Sequence, residues 1–338
     1  MMADKQQAIK LVKKEDVQFF LEMFEDIDVD FYQLLHESYI PSDIGSATYT
    51  YLPEKTLENL VTQLGERSCK EQFAYTVWIA CRENYIPKFV AKLNNNGCVK
   101  ALIEQSCLLL SDAKNSTELS LKFVGDKWWL VREKTFSEDI WFKYAEIFSV
   151  IFINELLYAL IGKQWHMSEV AIRSADIDGF NLLPEFKTVQ FYTQRSVTAV
   201  RIPEGLLETQ SQLAIQATDT LNNRADNVEQ SFLSLFKLAI HPYLSTGKLP
   251  IKWAAKILNM HVRTLQRRLV EEGTTYSELI EQMVLEQTLH YLANSTLSIT
   301  EIAAQMGYSE AAHFTRAFKR QMNMTPSQYR KLSRADNV

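Results

Sequence analysis

The sequence predicts a two-domain protein: an α+β N-terminal domain, then an all-α C-terminal domain holding two helix-turn-helix units joined by a connecting helix. Three observations carry this prediction. At 338 residues the chain has room for two domains of ~100 to 200 residues, each with its own core. Its charge is divided unevenly along its length. One helical pattern occurs twice near its end.

The composition is that of a globular protein, 46% hydrophobic and 23% charged. Its net charge of −5 hides a split: residues 245–334 hold twelve Lys and Arg against seven Glu, giving +5, while residues 1–244 carry −9. A basic block on an acidic body predicts a polyanion-binding module joined to something different. Cys69, Cys81, Cys98 and Cys107 show neither CxxC nor a His at ligand spacing, so they are read as buried free thiols in a reducing cytosol, with no metal and no cofactor. The N-terminus has no apolar core of signal-peptide type. The strongest apolar run, Ile147 to Ile161, is broken by Asn154 and Glu155 and is shorter than the ~20 residues of a membrane span. It is read as a core helix, and the chain as cytoplasmic and free of membrane.

Residues 16–111 carry apolar residues at three- and four-residue spacing, around Phe19, Leu21 and Phe24, around Leu57, Leu60 and Leu64, and from Val99 to Cys107. These predict helices. Asn94 to Gly97 marks a turn. Glu118 to Phe123 alternates apolar and polar residues, Gly125-Asp126 turns, and Trp128 to Arg132 continues extended, which predicts a β-hairpin. A long apolar helix is expected from Asp139 to Gly162. Short strands follow at 169–173, 188–192 and 197–201, around a small helix near 176–186.

This N-terminal domain, residues 1–207, shows no Gly-rich phosphate loop, no GxSxG and no HExxH, and His36 and His166 stand alone. A catalytic role for this part of the chain is therefore disfavoured. Trp128, Trp129, Trp141 and Tyr144 would either line a small-molecule pocket or fill the core. Residues 208–231 lose the large aromatics and read as a linker. The second domain covers 232–334, opening with a helix from Phe232 to Tyr243 and a turn at Gly247–Pro250.

Within it, the segment from Ile251 resembles the segment from Ile299. Ala255 and Asn259 match Ala303 and Gly307 at an offset of 48; Leu265, Arg267 and Leu269 match Phe314, Arg316 and Phe318 at 49; Thr275 and Ser277 match Thr325 and Ser327 at 50. Each copy reads helix, tight turn, helix. Gly307 suits a turn residue at positive φ, and Asn259 is the next best choice. Alanines at 254–255 and 303–304 let the paired helices approach closely. Ser298–Glu301, Thr275–Glu278 and Thr325–Gln328 have the capping-box form. One helix from Glu278 to Leu292 would join the units.

In the stretch from His261 to Leu269, Arg263, Gln266 and Arg267 share one face, which Val270 continues, while Leu265 and Leu269 point elsewhere. Taken alone, this stretch also fits a solvated helix whose arginines pair with Glu271 and Glu272. The second copy at Glu310 to Phe318 argues for a reading face with an apolar anchor. Two such helices held side by side suit successive major grooves of double-stranded DNA, ~34 Å apart.

The residues RTLQRRLVEEG and ITEIAAQMGYSEAAHFTRAFKRQMNMTPSQYR resemble the paired helix-turn-helix domain of AraC/XylS-type bacterial transcription regulators, over about 232–334. Upstream, Trp165, Glu169 to Ile172, Val189 to Phe191 and Ile202-Pro203 more weakly resemble the arabinose-binding-type effector domain of the subgroup with ornithine- and arginine-responsive regulators. The resemblance implies a sequence-specific transcriptional regulator, more often an activator, whose N-terminal domain senses a small molecule, dimerises, or does both. The alternative reading has that domain dimerising or binding a protein with no ligand. RNA polymerase and a second copy of the chain are the further partners implied. The base-facing residues carried over are Arg263, Gln266 and Arg267 in the first recognition helix, and Ala311, Ala312, His313, Thr315 and Arg316 in the second. Arg268 and Lys319, with Arg320 and Lys331, are assigned to phosphates or to the solvated face. Effector contacts stay unassigned. His261 stands where the family has a capping Ser, and Asn323 where it has a Gly. With Ala311 and Ala312 poor in polar groups, the first helix is expected to carry more of the specificity.

Overall fold

The computed structural model describes residues 9–24, 30–46, 49–94, 97–111, 117–134, 140–213, 231–246 and 249–335. Most of the expected linker, residues 214–230, lies outside them, as do Asn95, Asn96, Asp139, Gly247 and Lys248. In chain order the first half contains β1 (Leu11–Lys13), α1 (Lys14–Met23), α2 (Phe31–Glu37), β2 (Tyr51–Pro53), α3 (Glu54–Arg67), α4 (Lys70–Ala80), α5 (Ile86–Val90) and α6 (Val99–Leu110). Next come β3 (Thr117–Val124), β4 (Lys127–Lys134), α7 (Trp141–Ile161), β5 (Glu169–Ala171), β6 (Gln190–Tyr192), β7 (Thr198–Ile202) and α8 (Glu204–Leu207). The last third is helical: α9 (Phe232–Ile240), α10 (Ile251–Ile257), α11 (Val262–Glu271), α12 (Tyr276–Asn294), α13 (Ile299–Gln305), α14 (Ala311–Met322) and α15 (Pro326–Ala335).

The chain forms two compact units that are not serial in sequence. One takes the chain up to Lys14, Asp43–Lys55 and everything from Glu229; the other takes Glu15–Ser42 and Thr56–Val228. The stretch 1–207 therefore supplies two short pieces to the unit that holds the C-terminal helices.

The larger unit is α+β. Its five strands run in the order β3-β4-β7-β5-β6, antiparallel throughout except for β5 beside β6. The β3–β4 hairpin turns at Gly125 and Asp126, with φ of 59° and 56°, the left-handed pair a two-residue hairpin needs. Leu130, Val200 and Val170 come level across three strands and are fully buried. Across this unit, α7 forms the core helix. The stretch Trp141–Gln164 is long and apolar enough to cross a membrane, yet 78% of its most apolar window is buried inside the protein. Close helix packing depends on Gly65, where an added Cβ would lie 2.5 Å from the Tyr144 ring.

Two acidic residues interrupt that apolar helix, and both are satisfied. Glu146, 1% exposed, accepts from the Arg173 and Ser174 backbone N–H groups at 2.8 and 2.9 Å and from the Thr198 hydroxyl at 2.5 Å. Glu155 accepts from Arg82 Nε at 2.7 Å and from Trp78 Nε1 at 3.0 Å. Burial pushes its carboxyl above the ordinary range, and Arg82 works against that shift.

Two sequence expectations need correction here, and one open choice is divided. The helix expected near 176–186 is a pair of single 3-10 turns, Asp178–Phe180 and Pro184–Phe186; Pro184 and the short spacing prevent a longer run. Of the four cysteines only Cys81 is buried; Cys98 and Cys107 are half-buried, and the exposed Cys69 caps a helix, its Sγ accepting from the Gln72 N–H at 3.4 Å. The aromatic residues divide: Trp141 and Tyr144 are core, at 6% and 9% exposure, while Trp128 and Trp129 are half-buried. A cleft beside α7, lined by Lys70, Lys143, Glu146 and Phe180, involves none of the four aromatics.

The second unit is helical apart from one two-stranded sheet. β1 and β2 pair antiparallel, Leu11 with Pro53 and Lys13 with Tyr51, and β2 packs on α9. Leu11, Leu52, Phe236, Ala239 and Ile240 are all buried to 1% or less. The helices that follow form the two repeated units.

Candidate nucleic-acid interface

The two copies of the repeat fold alike down to single hydrogen bonds. In the first turn the Asn259 N–H donates to Lys256 O at 3.2 Å and the Met260 N–H to Ala255 O at 2.9 Å; in the second, Gly307 donates to Ala304 O and Tyr308 to Ala303 O, each at 2.9 Å. Asn259 and Gly307 have φ of 53° and 72°. This left-handed residue stops the first helix and redirects the chain into the second. Ala254, Ala255 and Ala303 are buried in the close approach, whereas Ala304 is exposed.

Helix starts follow the capping chemistry. Thr275 and Glu278, Ser298 and Glu301, and Thr325 and Gln328 each exchange reciprocal bonds. The bonds from Ser298 hold the Glu301 carboxyl below its ordinary value. The recognition helices lack such help: neither His261 before α11 nor Glu310 before α14 makes a side-chain cap bond. For His261 this is the poorer cap expected from the sequence, at a cost of ~1 kcal/mol. After α14, Asn323 takes the left-handed position at φ 56°.

What fixes the recognition helices is their apolar side. Leu265 and Leu269 are fully buried, and Phe314 and Phe318 are 2% and 3% exposed. Each such side chain contributes ~1.5 to 3 kcal/mol of burial. Phe314 and Phe318 join Leu292, Ile302, Ala303 and Met306 in one core cluster. The connecting helix α12 enters that cluster through Leu292 and starts under the first unit, where the Tyr276 hydroxyl donates to Leu249 O at 2.7 Å.

With the apolar side fixed, the opposite faces are exposed. On α11, Arg263, Gln266 and Arg267 are exposed together with Val270. On α14, Ala312, His313, Arg316, Lys319 and Arg320 are exposed, while Ala311 and Thr315 are half-buried. Ala311 packs against the core cluster, so part of its surface is withdrawn from the exposed face. Arg267 bonds to Glu271 at 3.0 Å, with both partners about half exposed. An exposed i,i+4 pair of this type is worth ~0.3 to 0.5 kcal/mol. His313 Nε2 lies 3.5 Å from Glu310 Oε2.

Two features were not apparent in the sequence. Arg268 is half-buried, with its guanidinium 5.6 Å from the centre of the Phe232 ring on α9. Periodicity within α11 gives no signal for that contact, which depends on an aromatic 36 residues upstream. The charge of the two faces also differs, since Glu271 occupies in α11 the position that Arg320 holds in α14 at the offset of 49. Residue types compared at that offset would have shown it.

A family model described as "Helix-turn-helix domain" matches residues 254–332. Among curated proteins, the chain is 44% identical over 87 residues to the "HTH-type transcriptional regulator VirS" of Mycobacterium tuberculosis, covering 26% of each chain. It is 36% identical over 99 residues to the "Urease operon transcriptional activator" of Escherichia coli, covering 28% of this chain and 33% of that protein. It is 34% identical over 80 residues to the "Ornithine utilization regulator" of Pseudomonas aeruginosa, covering 24% of each. The matched region thus spans about a quarter to a third of these relatives' lengths.

Proposed function

We propose that this chain, whose residues 254–332 are an AraC-type helix-turn-helix domain, is a sequence-specific DNA-binding transcriptional regulator. One observation carries the reading: the same helix-turn-helix fold occurs twice, each copy burying an apolar pair and exposing an arginine on the second helix. α12 is 19 residues long, or about 28 Å at 1.5 Å per residue, commensurate with the ~34 Å between successive major grooves. Arg263, Arg267 and Arg316 suit guanine edges and Gln266 suits adenine. Ala312, His313 and Thr315 flank Arg316, and Lys319 and Arg320 suit phosphates.

The larger unit is the effector domain in this reading, with a small molecule controlling activation. The activating outcome draws on the name of one relative, a urease operon activator. A regulator of this kind acts in the bacterial cytoplasm, with RNA polymerase and a second copy of the chain as further partners.

Selection of bound sequences from random duplex DNA by the purified full chain tests the proposal. An enriched motif with two half-sites about one helical turn apart is the expected result. No enrichment over input would sink it. A thermal-shift survey of small molecules tests the effector part, since a ligand at one hundred times its Kd adds ~2.7 kcal/mol of stability.

A further inference from the structure

The unit that contains the recognition helices also contains two strands from the start of the chain, and the route from them to the first recognition helix is short. β2 packs on α9, and α9 buries Phe236, Ala239 and Ile240 completely. At its first residue α9 carries Phe232, whose ring lies under the Arg268 guanidinium of α11 at 5.6 Å. A Phe236–Tyr276 ring contact at 6.2 Å also ties α9 to the start of α12. No equivalent helix precedes α13, since α12 runs to Asn294 and α13 begins at Ile299.

The other ends of the strands lead elsewhere. β1 ends at Lys13 and α1 begins at Lys14; β2 ends at Pro53 and α3 begins at Glu54. From Glu15 and Thr56 onward those helices belong to the other unit. Backbone bonds close the ends of the strand pair itself: the Lys14 N–H donates to Thr50 O at 2.8 Å, and the Glu54 N–H to Lys10 O at 3.0 Å.

We propose that Arg268 is a positioning residue rather than a phosphate contact, and that the strand pair, α9 and the Phe232–Arg268 contact form a relay. Through this relay the strand pair sets the pose of the first recognition helix but not of the second. The proposal rests on the DNA-binding reading and adds a route for its regulation. A packed contact chain with no slack transmits displacement because close-packed side chains shift between discrete arrangements instead of deforming smoothly. An arginine held over an aromatic ring at this distance is oriented by the ring.

The test uses the full chain carrying Phe232→Leu, Leu52→Ala, Arg268→Lys or Arg268→Met. Each variant is followed by amide hydrogen exchange and by binding to its selected DNA site over a series of salt concentrations. The relay predicts that Phe232→Leu and Leu52→Ala speed exchange in α9 and α11 but not in α14. It also predicts that they weaken binding about three- to tenfold with an unchanged salt slope. Arg268→Lys should retain most binding and Arg268→Met should lose it, again at constant slope. A salt slope lower by about 1 for Arg268→Met would identify a phosphate contact and overturn the positioning role. Exchange changes confined to β1 and β2 in Leu52→Ala, with α11 as in the wild type, would overturn the relay. Should Leu52→Ala fail to fold, the milder Leu52→Val, which removes a single carbon from the strand pair, decides the same point. If the wild-type chain selects no DNA, the DNA-binding reading fails, while the exchange measurements still judge the relay.

Discussion

Asn259 and Gly307, 48 residues apart in the chain, occupy the same left-handed turn position, at φ 53° and 72°. Each closes the same two backbone hydrogen bonds onto the helix before it. An L-residue with a Cβ pays ~1 to 2 kcal/mol in this conformation, and Asn pays less than most. Gly307→Ala and Asn259→Ala should therefore each destabilise their own unit by about 1 kcal/mol. Asn259→Gly should be neutral or stabilising by a few tenths. Hydrogen exchange in α10 and α13 reads the two units separately, and an Asn259→Ala variant with unchanged protection of α10 would refute the argument.

The recognition arginines should differ in what they contribute. Arg267 is paired with Glu271, but that pair is worth ~0.3 to 0.5 kcal/mol against ~1 to 3 kcal/mol for a bidentate base contact. In the proposed complex DNA should therefore displace it. Arg267→Ala should reduce the ratio of affinities for matched and scrambled sites about tenfold or more. Arg316→Ala, flanked by the methyl of Ala312, should weaken both affinities more evenly. A larger loss of discrimination from Arg316→Ala would reverse the assignment.

Salt dependence should reside mainly in the second unit. The exposed side of α14 carries Arg316, Lys319 and Arg320 with no acidic residue in the helix, whereas α11 ends in Glu271 and draws Arg268 inward over Phe232. Each lysine or arginine removed from a phosphate lowers the slope of log K against log salt by about 1. Arg320→Ala and Lys319→Ala should each show that decrease. Glu271→Arg, which copies the second unit into the first, should raise the slope by a similar amount; an unchanged slope would place α11 away from the backbone.

These contrasts mark what a single sequence can convey. Leu265, Leu269, Phe314 and Phe318 were legible because helical spacing repeats locally, and Asn259 because its place in the repeat matched a glycine. The hairpin at Gly125-Asp126 was legible for the same reason, its turn chemistry lying between two alternating runs. The β1–β2 pair was not: three-residue strands are too short to show alternation, and Leu11 meets Pro53 through a pairing that no local window contains. The contact of Arg268 with Phe232 was not legible for a related cause. On its own helix Arg268 lies beside the exposed face, and only the tertiary arrival of α9 brings an aromatic ring to it.

Acid should destabilise the larger unit partly through Glu169. The Lys127 ammonium bonds to its carboxylate at 2.8 Å and Arg201 pairs with the other oxygen. The Lys127 bond, with Arg201 adding to it, holds this carboxyl below its ordinary value of 4.5. A carboxylate whose folded pKa is depressed binds fewer protons when folded than when unfolded, so its contribution is complete above the unfolded value and disappears as pH falls through the folded one. Because Lys127 and Arg201 remain about one-third exposed, solvent screens the pair and the contribution is modest. In urea unfolding from about pH 7 to about pH 3, Glu169→Gln should be less stable than wild type near neutrality, and the two curves should converge on the acid side. Parallel curves across that range would show that Glu169 titrates alike in both states, and that β4, β5 and β7 are held by their buried row of Leu130, Val170 and Val200 alone.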